Sequence, residues 1–178
     1  MNITFEPFPK LARYFREVVI TEKLDGTNAQ IIITDDGDIG AASRTRLITP
    51  EDDNFGFARW VQGNKDELLK LGPGRHFGEW YGQAIQRGYG LKEKRFALFN
   101  VGRWNKDTLP TPLVEVVPTL LVSADTEAVA LAMAKLKDEG SKAVPGYMNP
   151  EGVVVYHTAS RQMYKATFDN DEGKWSAP

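Results

Sequence analysis

Residues Glu22-Lys23-Leu24-Asp25-Gly26-Thr27-Asn28 decide how the rest of this chain is read. Before them, Val18 to Thr21 is a β-branched run that ends at the lysine; after them, Ala29 to Thr34 is a second apolar run rich in isoleucine. Such runs predict two strands flanking an Asp25-Gly26 turn. A lysine at the mouth of a strand, beside a tight turn, is a candidate nucleophile, because its amine can attack phosphorus once it has lost its proton. From a reference pKa of about 10.4, roughly one free lysine in a few thousand is neutral at pH 7. The surroundings must therefore disfavour the ammonium through desolvation, nearby cations or a metal.

Working outward, Asp36-Gly37 reads as a type I′ hairpin turn, with residues 39–43 returning to complete a small antiparallel meander. Phe57, Trp60, Val61, Leu68 and Leu71 recur at helical spacing, with Asp52, Asp53 or Asn54 as N-cap and Gly63 as a break. Strands are expected over 75–81, 96–101 and 113–117, each bounded by Gly, Pro or Asn. Val129, Ala132, Met133 and Leu136 then fall on one helical face, started by Ser123 or Asp125 and stopped by Gly140. Met133 belongs to the core of that helix. Residues 152–157 and 162–168 form a last strand pair around a polar turn. The order predicts an α+β fold of mostly antiparallel strands with two or three helices.

With 178 residues, 42% hydrophobic and 26% charged, the chain fits one globular domain spanning 1–178. No apolar run approaches the ~18 residues of a membrane span, and the N-terminus lacks a signal-peptide core, so a soluble, cytoplasmic protein is expected. The absence of cysteine excludes disulfides, thiol nucleophiles and thiolate zinc sites. His76 and His157 are too few and too far apart for a histidine metal site. A net charge of −2 gives no global basic footprint for nucleic acid. A local patch is the alternative: Arg87, Lys92, Lys94, Arg95, Arg103 and Lys106 face one acid, Glu93, with Tyr89, Phe96, Phe99 and Trp104 interleaved. The plainer reading of the patch is a solvated strand-and-loop surface over core aromatics.

A Lys-x-Asp-Gly string alone is a weak signal, because Asp-Gly is a common turn. The chain also contains Ser43-Arg44-Thr45, Phe77-Gly78-Glu79-Trp80-Tyr81-Gly82, Phe96-Ala97-Leu98-Phe99, Glu151-Gly152-Val153-Val154-Val155 and Tyr164-Lys165, in that order. In sequence and order these resemble the signature elements of the covalent nucleotidyltransferases, the superfamily of ATP-dependent ligases and mRNA capping enzymes. Within it the chain resembles the RNA ligases of the phage double-strand-repair and trypanosome editing types. Those enzymes end the lysine motif in Gly-x-Asn preceded by Glu-Lys, as here, whereas DNA ligases and capping enzymes usually carry arginine at the position of Asn28. The resemblance runs from residue 22 to about 168.

The resemblance implies that Lys23 takes AMP from ATP and passes it to a 5′-phosphate end, before a 3′-hydroxyl completes the joint. It implies further roles residue by residue. Glu22 meets the adenine amine, although in a regular strand it faces opposite to Lys23. Asn28 bonds the nucleotide or a water on its phosphate, and Arg44 grips phosphate with its planar fork. Glu79 binds the ribose hydroxyls, and Phe99 stacks under adenine, with Phe96 as the alternative register. Glu151 holds Mg²⁺ or Mn²⁺, directly or through water, and Lys165 contacts the α-phosphate. Each has a plainer alternative: a turn residue for Asn28, a surface arginine for Arg44, a core phenylalanine for Phe99.

Two departures from the family pattern stand out. The last motif usually has two lysines one residue apart, but here Met163 precedes Lys165 and Thr167 follows it. Either one role is lost or another cation, Arg161 or Lys174, takes it. The second is in length: the expectation is a single nucleotidyltransferase domain over 1–178, with no appended OB or helical domain. The expected partners are RNA ends or a nicked duplex, possibly DNA, with no membrane. The rival readings are a nucleotide-binding module that does not seal by itself and an ATP-dependent DNA nick ligase; Asn28 disfavours the latter and, with the Glu22-Lys23 pair, a GTP-dependent capping enzyme.

Overall fold

The two runs that flank Leu24 to Gly26 are both strands, yet they do not pair with each other. The computed structural model describes residues 3–169. In chain order it contains β1 (Val18–Lys23), β2 (Thr27–Ile33), β3 (Ile39–Ser43), β4 (Leu47–Ile48), α1 (Phe57–Gly63), α2 (Lys65–Leu68), β5 (Gly74–Gly82), β6 (Lys94–Leu98), β7 (Glu115–Val116), β8 (Thr119–Ser123), α3 (Ala128–Glu139), β9 (Gly152–His157) and β10 (Gln162–Thr167). The strands form a four-stranded sheet ordered β10-β9-β1-β8 and a six-stranded sheet ordered β4-β3-β2-β5-β6-β7. All pairings are antiparallel except β6 with β7. The fold is α+β, as the sequence order requires.

Asp25-Gly26 is therefore a crossover between sheets, which corrects the expected meander around it. Gly26 does not have positive φ. Glycine is needed there for clearance: a Cβ would lie 2.4 Å from the Trp80 carbonyl oxygen and 2.8 Å from Tyr81 Cβ. Asp36-Gly37 does turn a hairpin between β2 and β3, but only Gly37 has positive φ. The type I′ turn, which needs two such residues, is replaced by a three-residue loop closed by the glycine.

Each sheet has its own helical cover. The six-stranded sheet packs Ile31, Ile33, Trp80, Phe96 and Leu98 against Phe57, Ala58, Val61, Leu68 and Leu71. The N-cap of α1 is Gly56 rather than Asp52, Asp53 or Asn54, because the chain enters the helix through a left-handed residue; Asp53 still reaches the first turn, its carboxylate accepting from the Ala58 and Arg59 amides at 2.8 and 3.1 Å. The helical run breaks after Gly63. The four-stranded sheet packs Ile20, Val153 and Val155 against Ala128, Ala132 and Leu136 of α3, with Met133 partly buried beside them. A third cluster, Leu24, Tyr81, Tyr89, Ala97 and Val117, joins the two halves near the lysine. Strands β4 and β8 are additions to the sequence-based strand list.

Candidate active site

Lys23 is the last residue of β1; it lies opposite Gly152 on β9, which lies opposite Thr167 on β10. This row ends the four-stranded sheet at the crossover. Lys23 Nζ donates to Glu151 Oε2 at 2.7 Å, and both side chains are largely shielded, 25% and 16% exposed. Side chains alternate along a strand, so Lys23 shares its face of the sheet with Thr21 while Glu22 turns toward the α3 side. Glu22 is 1% exposed. Its Oε2 accepts from the Lys142 and Ala143 amides at 2.7 and 3.0 Å, and its Oε1 is buried without a hydrogen-bond partner among the described residues. A buried carboxylate oxygen in that condition suits an N–H donor, because leaving it unpaired costs the protein free energy.

The six-stranded sheet presents the facing half. Asn28 and Glu79 are register partners on β2 and β5. Glu79 Oε2 accepts from Asn28 Nδ2 at 2.8 Å and Oε1 from the Gly26 amide at 3.1 Å. Glu79 thereby ties the lysine loop to the second sheet without a cation in direct contact. Burial pushes its carboxyl up to about 7, against the pull of Asn28, Lys23 and Gly26. Phe99 follows β6 directly, its amide bonded to the Phe77 carbonyl at 3.0 Å. By alternation it shares the face of Ala97 and Glu79, and it is 40% exposed. Phe96 is fully buried on the opposite face against Phe57 and Trp60. The structure thus leaves Phe99 as the free aromatic of that segment.

Arg44 sits in the turn after β3, exposed and without a side-chain partner among the described residues, at the end of the sheet where β2 begins. Lys165 is exposed on β10 opposite Val154, which lies opposite Thr21. It is on the Lys23 face, one row farther from the crossover. Thr167, rather than a lysine, holds the nearer row. Arg161 lies past the other end of the sheet, six residues or about 20 Å from that row, which removes it as a replacement cation. Lys174 lies outside the described residues.

The sequence profile of the RNA ligase family matches residues 16–168. The chain belongs to the RNA ligase family. No curated protein matches it by sequence. Among solved structures it is similar to the RNA ligase of Naegleria gruberi. An apo aspartate-to-alanine mutant gives a TM-score of 0.63 at 22% identity, covering 86% of this chain and 50% of that one. A mutant with ATP and Mn gives 0.59 at 22%, covering 85% and 49%. The form with PPi gives 0.58 at 22%, covering 85% and 49%. At this identity the likeness establishes a shared fold, and the chain spans about half the length of those ligases.

For a member of the RNA ligase family the fate of the basic segment matters. Arg87 to Lys106 is not one patch. Lys94 Nζ donates to the Phe55 carbonyl at 2.7 Å, Arg95 pairs with Glu93 and Glu115, and Arg103 donates to the Leu71 carbonyl and lies over Trp104. Arg87 is turned inward and bonds Asp25, Asn149 and Asp169. Sequence reasoning missed this arginine's placement, and nothing local could have shown it, since two of its partners are 62 residues away and the third 82. The Lys142 and Ala143 amides on Glu22 were missed for the same reason. No group of three or more His, Cys, Asp or Glu converges among the described residues. A hard cation here would be held by one carboxylate plus phosphate oxygens and water, which is how magnesium commonly binds.

Proposed function

We propose that residues 16–168 act as one nucleotidyltransferase unit of an ATP-dependent RNA ligase, with Lys23 as the residue that becomes adenylylated. The observation that carries the reading is the shielded Lys23–Glu151 pair, standing where both sheets end and facing Glu79, Asn28 and Phe99. Glu22 Oε1 suits the amine of adenine, Phe99 offers its face to the ring, and the exposed Arg44 and Lys165, unpaired among the described residues, suit phosphate oxygens. The solved relatives with ATP and Mn agree with this ligand. In that ligase the mutated glutamate and lysine of two structures are as far apart in sequence as Glu151 and Lys165. The mutated lysine and aspartate of two others match the spacing of Lys23 and Asp25.

In the first step the Lys23 amine bonds the α-phosphorus, the bond to the bridging oxygen of the β-phosphate breaks, and pyrophosphate leaves. The amine sheds its proton in the process. A divalent cation held by Glu151 would supply positive charge that favours the free amine and steadies the phosphate. Next, a 5′-phosphate oxygen of RNA attacks the bound AMP and the P–N bond breaks, returning the electron pair to Lys23. Attack by a 3′-hydroxyl then forms the strand linkage and releases AMP. Thr167 at the row nearest Lys23 favours one rival, a module that takes AMP but does not seal, because the second lysine of the motif is lacking where charge builds up.

The test is incubation with ATP, Mg²⁺ or Mn²⁺ and 5′-phosphorylated strands, comparing nicked RNA, nicked DNA and single-stranded ends. A 5′-adenylylated or joined RNA product is expected. An adenylylated protein with no strand product from any substrate would select the non-sealing module, and product from nicked DNA alone would select the DNA ligase.

A further inference from the structure

One charged cluster at the crossover has no part in the chemistry above. Arg87 lies in the segment after β5, with its side chain 14% exposed. Its Nε donates to Asp25 Oδ2 at 2.9 Å, one terminal nitrogen donates to the Asn149 carbonyl at 3.3 Å, and the other pairs with the Asp169 carboxylate. The three acceptors come from the ends of three strands. Asp25 follows Lys23 on leaving β1, Asn149 precedes Glu151 before β9, and Asp169 follows Thr167 after β10.

Arg87 itself is anchored to the other half of the molecule. Ile85, two residues before it, is fully buried in the core of the six-stranded sheet. Tyr89, two residues after it, packs on Tyr81 and accepts the Asp25 amide at 2.8 Å. With two carboxylates on one guanidinium its positive charge is already offset, so it is not a phosphate site. Its geometry is that of a brace: a planar group with five donors meets acceptors from three chain segments at once, which an ammonium on a flexible stem does not reproduce.

We propose that Arg87 is a positioning residue, a clasp that fixes the Lys23–Glu151 edge of one sheet relative to the Asn28–Glu79 edge of the other. This rests on the reading of Lys23 as the adenylylated residue. A nucleotide held by both sheets presents its α-phosphorus to Lys23 only if their separation is set, and a misplacement of about 1 Å can cost on the order of 100-fold in rate. The clasp also acts on Lys23 and Glu151 together, since its partners lie two residues from each.

The experiment compares the wild type with Arg87→Ala, Arg87→Lys and Leu136→Ala, the last a core truncation beneath α3 that touches none of the clasp's partners. Two quantities are read: the single-turnover rate of AMP transfer to protein at saturating ATP, and hydrogen exchange by segment. Arg87→Ala should slow transfer on the order of 10- to 100-fold, with partial recovery in millimolar guanidinium, and Arg87→Lys should not regain the wild-type rate. Exchange should quicken over 24–28 and 148–151 but not in α3. Leu136→Ala should lower the Tm and keep the transfer rate. A wild-type rate in Arg87→Ala together with unchanged exchange over 24–28 would overturn the clasp, as would a loss no larger than its unfolded fraction explains. If the wild type takes up no AMP, the proposed chemistry fails, and the exchange pattern alone decides for or against the clasp.

Discussion

At the scale of single residues, Glu79 carries the clearest measurable consequence. Its carboxyl is raised to about 7 by burial, while the unfolded chain titrates it near the usual carboxylate value of about 4.3. Between those values the folded state binds more protons than the unfolded one, so stability falls as pH rises from about 4.5 to about 7 and is level above that. The size is roughly 3 kcal/mol. Glu79→Gln should remove this slope, so that urea midpoints at pH 5 and pH 8 differ less in the variant than in the wild type; an unchanged difference would show that Glu79 is not the titrating group. Lys23, Glu79 and Glu151 were singled out in the sequence because each sits in a short motif that resembles those of the RNA ligases. Their partnerships were not. Lys23 meets Glu151 across 128 residues, and Asn28 meets Glu79 across 51, distances over which only the sheet register brings groups together.

At the scale of elements, strand alternation is the strongest predictor and the crossover the weakest. Alternation placed Glu22 opposite Lys23, where it is found, and the helical spacing of α3 named its buried face correctly. The turn at Asp25-Gly26 was misread because local composition cannot distinguish a hairpin from a passage between sheets. What distinguishes them is the Trp80 and Tyr81 backbone pressed against Gly26. Register also makes the last motif specific. Thr167 shares the row of Lys23, and Lys165 is one row away, about 7 Å along the strand. Thr167→Lys should therefore speed AMP transfer several-fold in single-turnover measurements by adding a cation beside the reacting phosphate. No gain would mean that charge at this row does not limit the first step.

At the scale of the whole molecule, two sheets with separate helical covers meet at the lysine, so the candidate site is assembled from both and its polar groups bridge them. Composition announced a folded domain of mixed class but not this division, because hydrophobic periodicity does not say which strands share a sheet. It also suggested a basic patch over 87–106 that the fold breaks up, engaging Arg87, Lys94, Arg95 and Arg103 with carbonyls and carboxylates and leaving Lys92 and Lys106 exposed. Lys94→Ala and Arg95→Ala should accordingly lower stability while leaving RNA affinity close to wild type. Arg44→Ala and Lys165→Ala, which remove exposed cations on the site side, should weaken RNA binding and flatten its salt dependence by about one unit of slope each; the opposite ranking in filter binding would restore the patch. The central claim is that Lys23 carries AMP. Intact mass after incubation with ATP and Mg²⁺ should show one added AMP, labile to acid, on the wild type and none on Lys23→Ala; an unmodified wild type, or an adduct that survives in Lys23→Ala, would contradict the account.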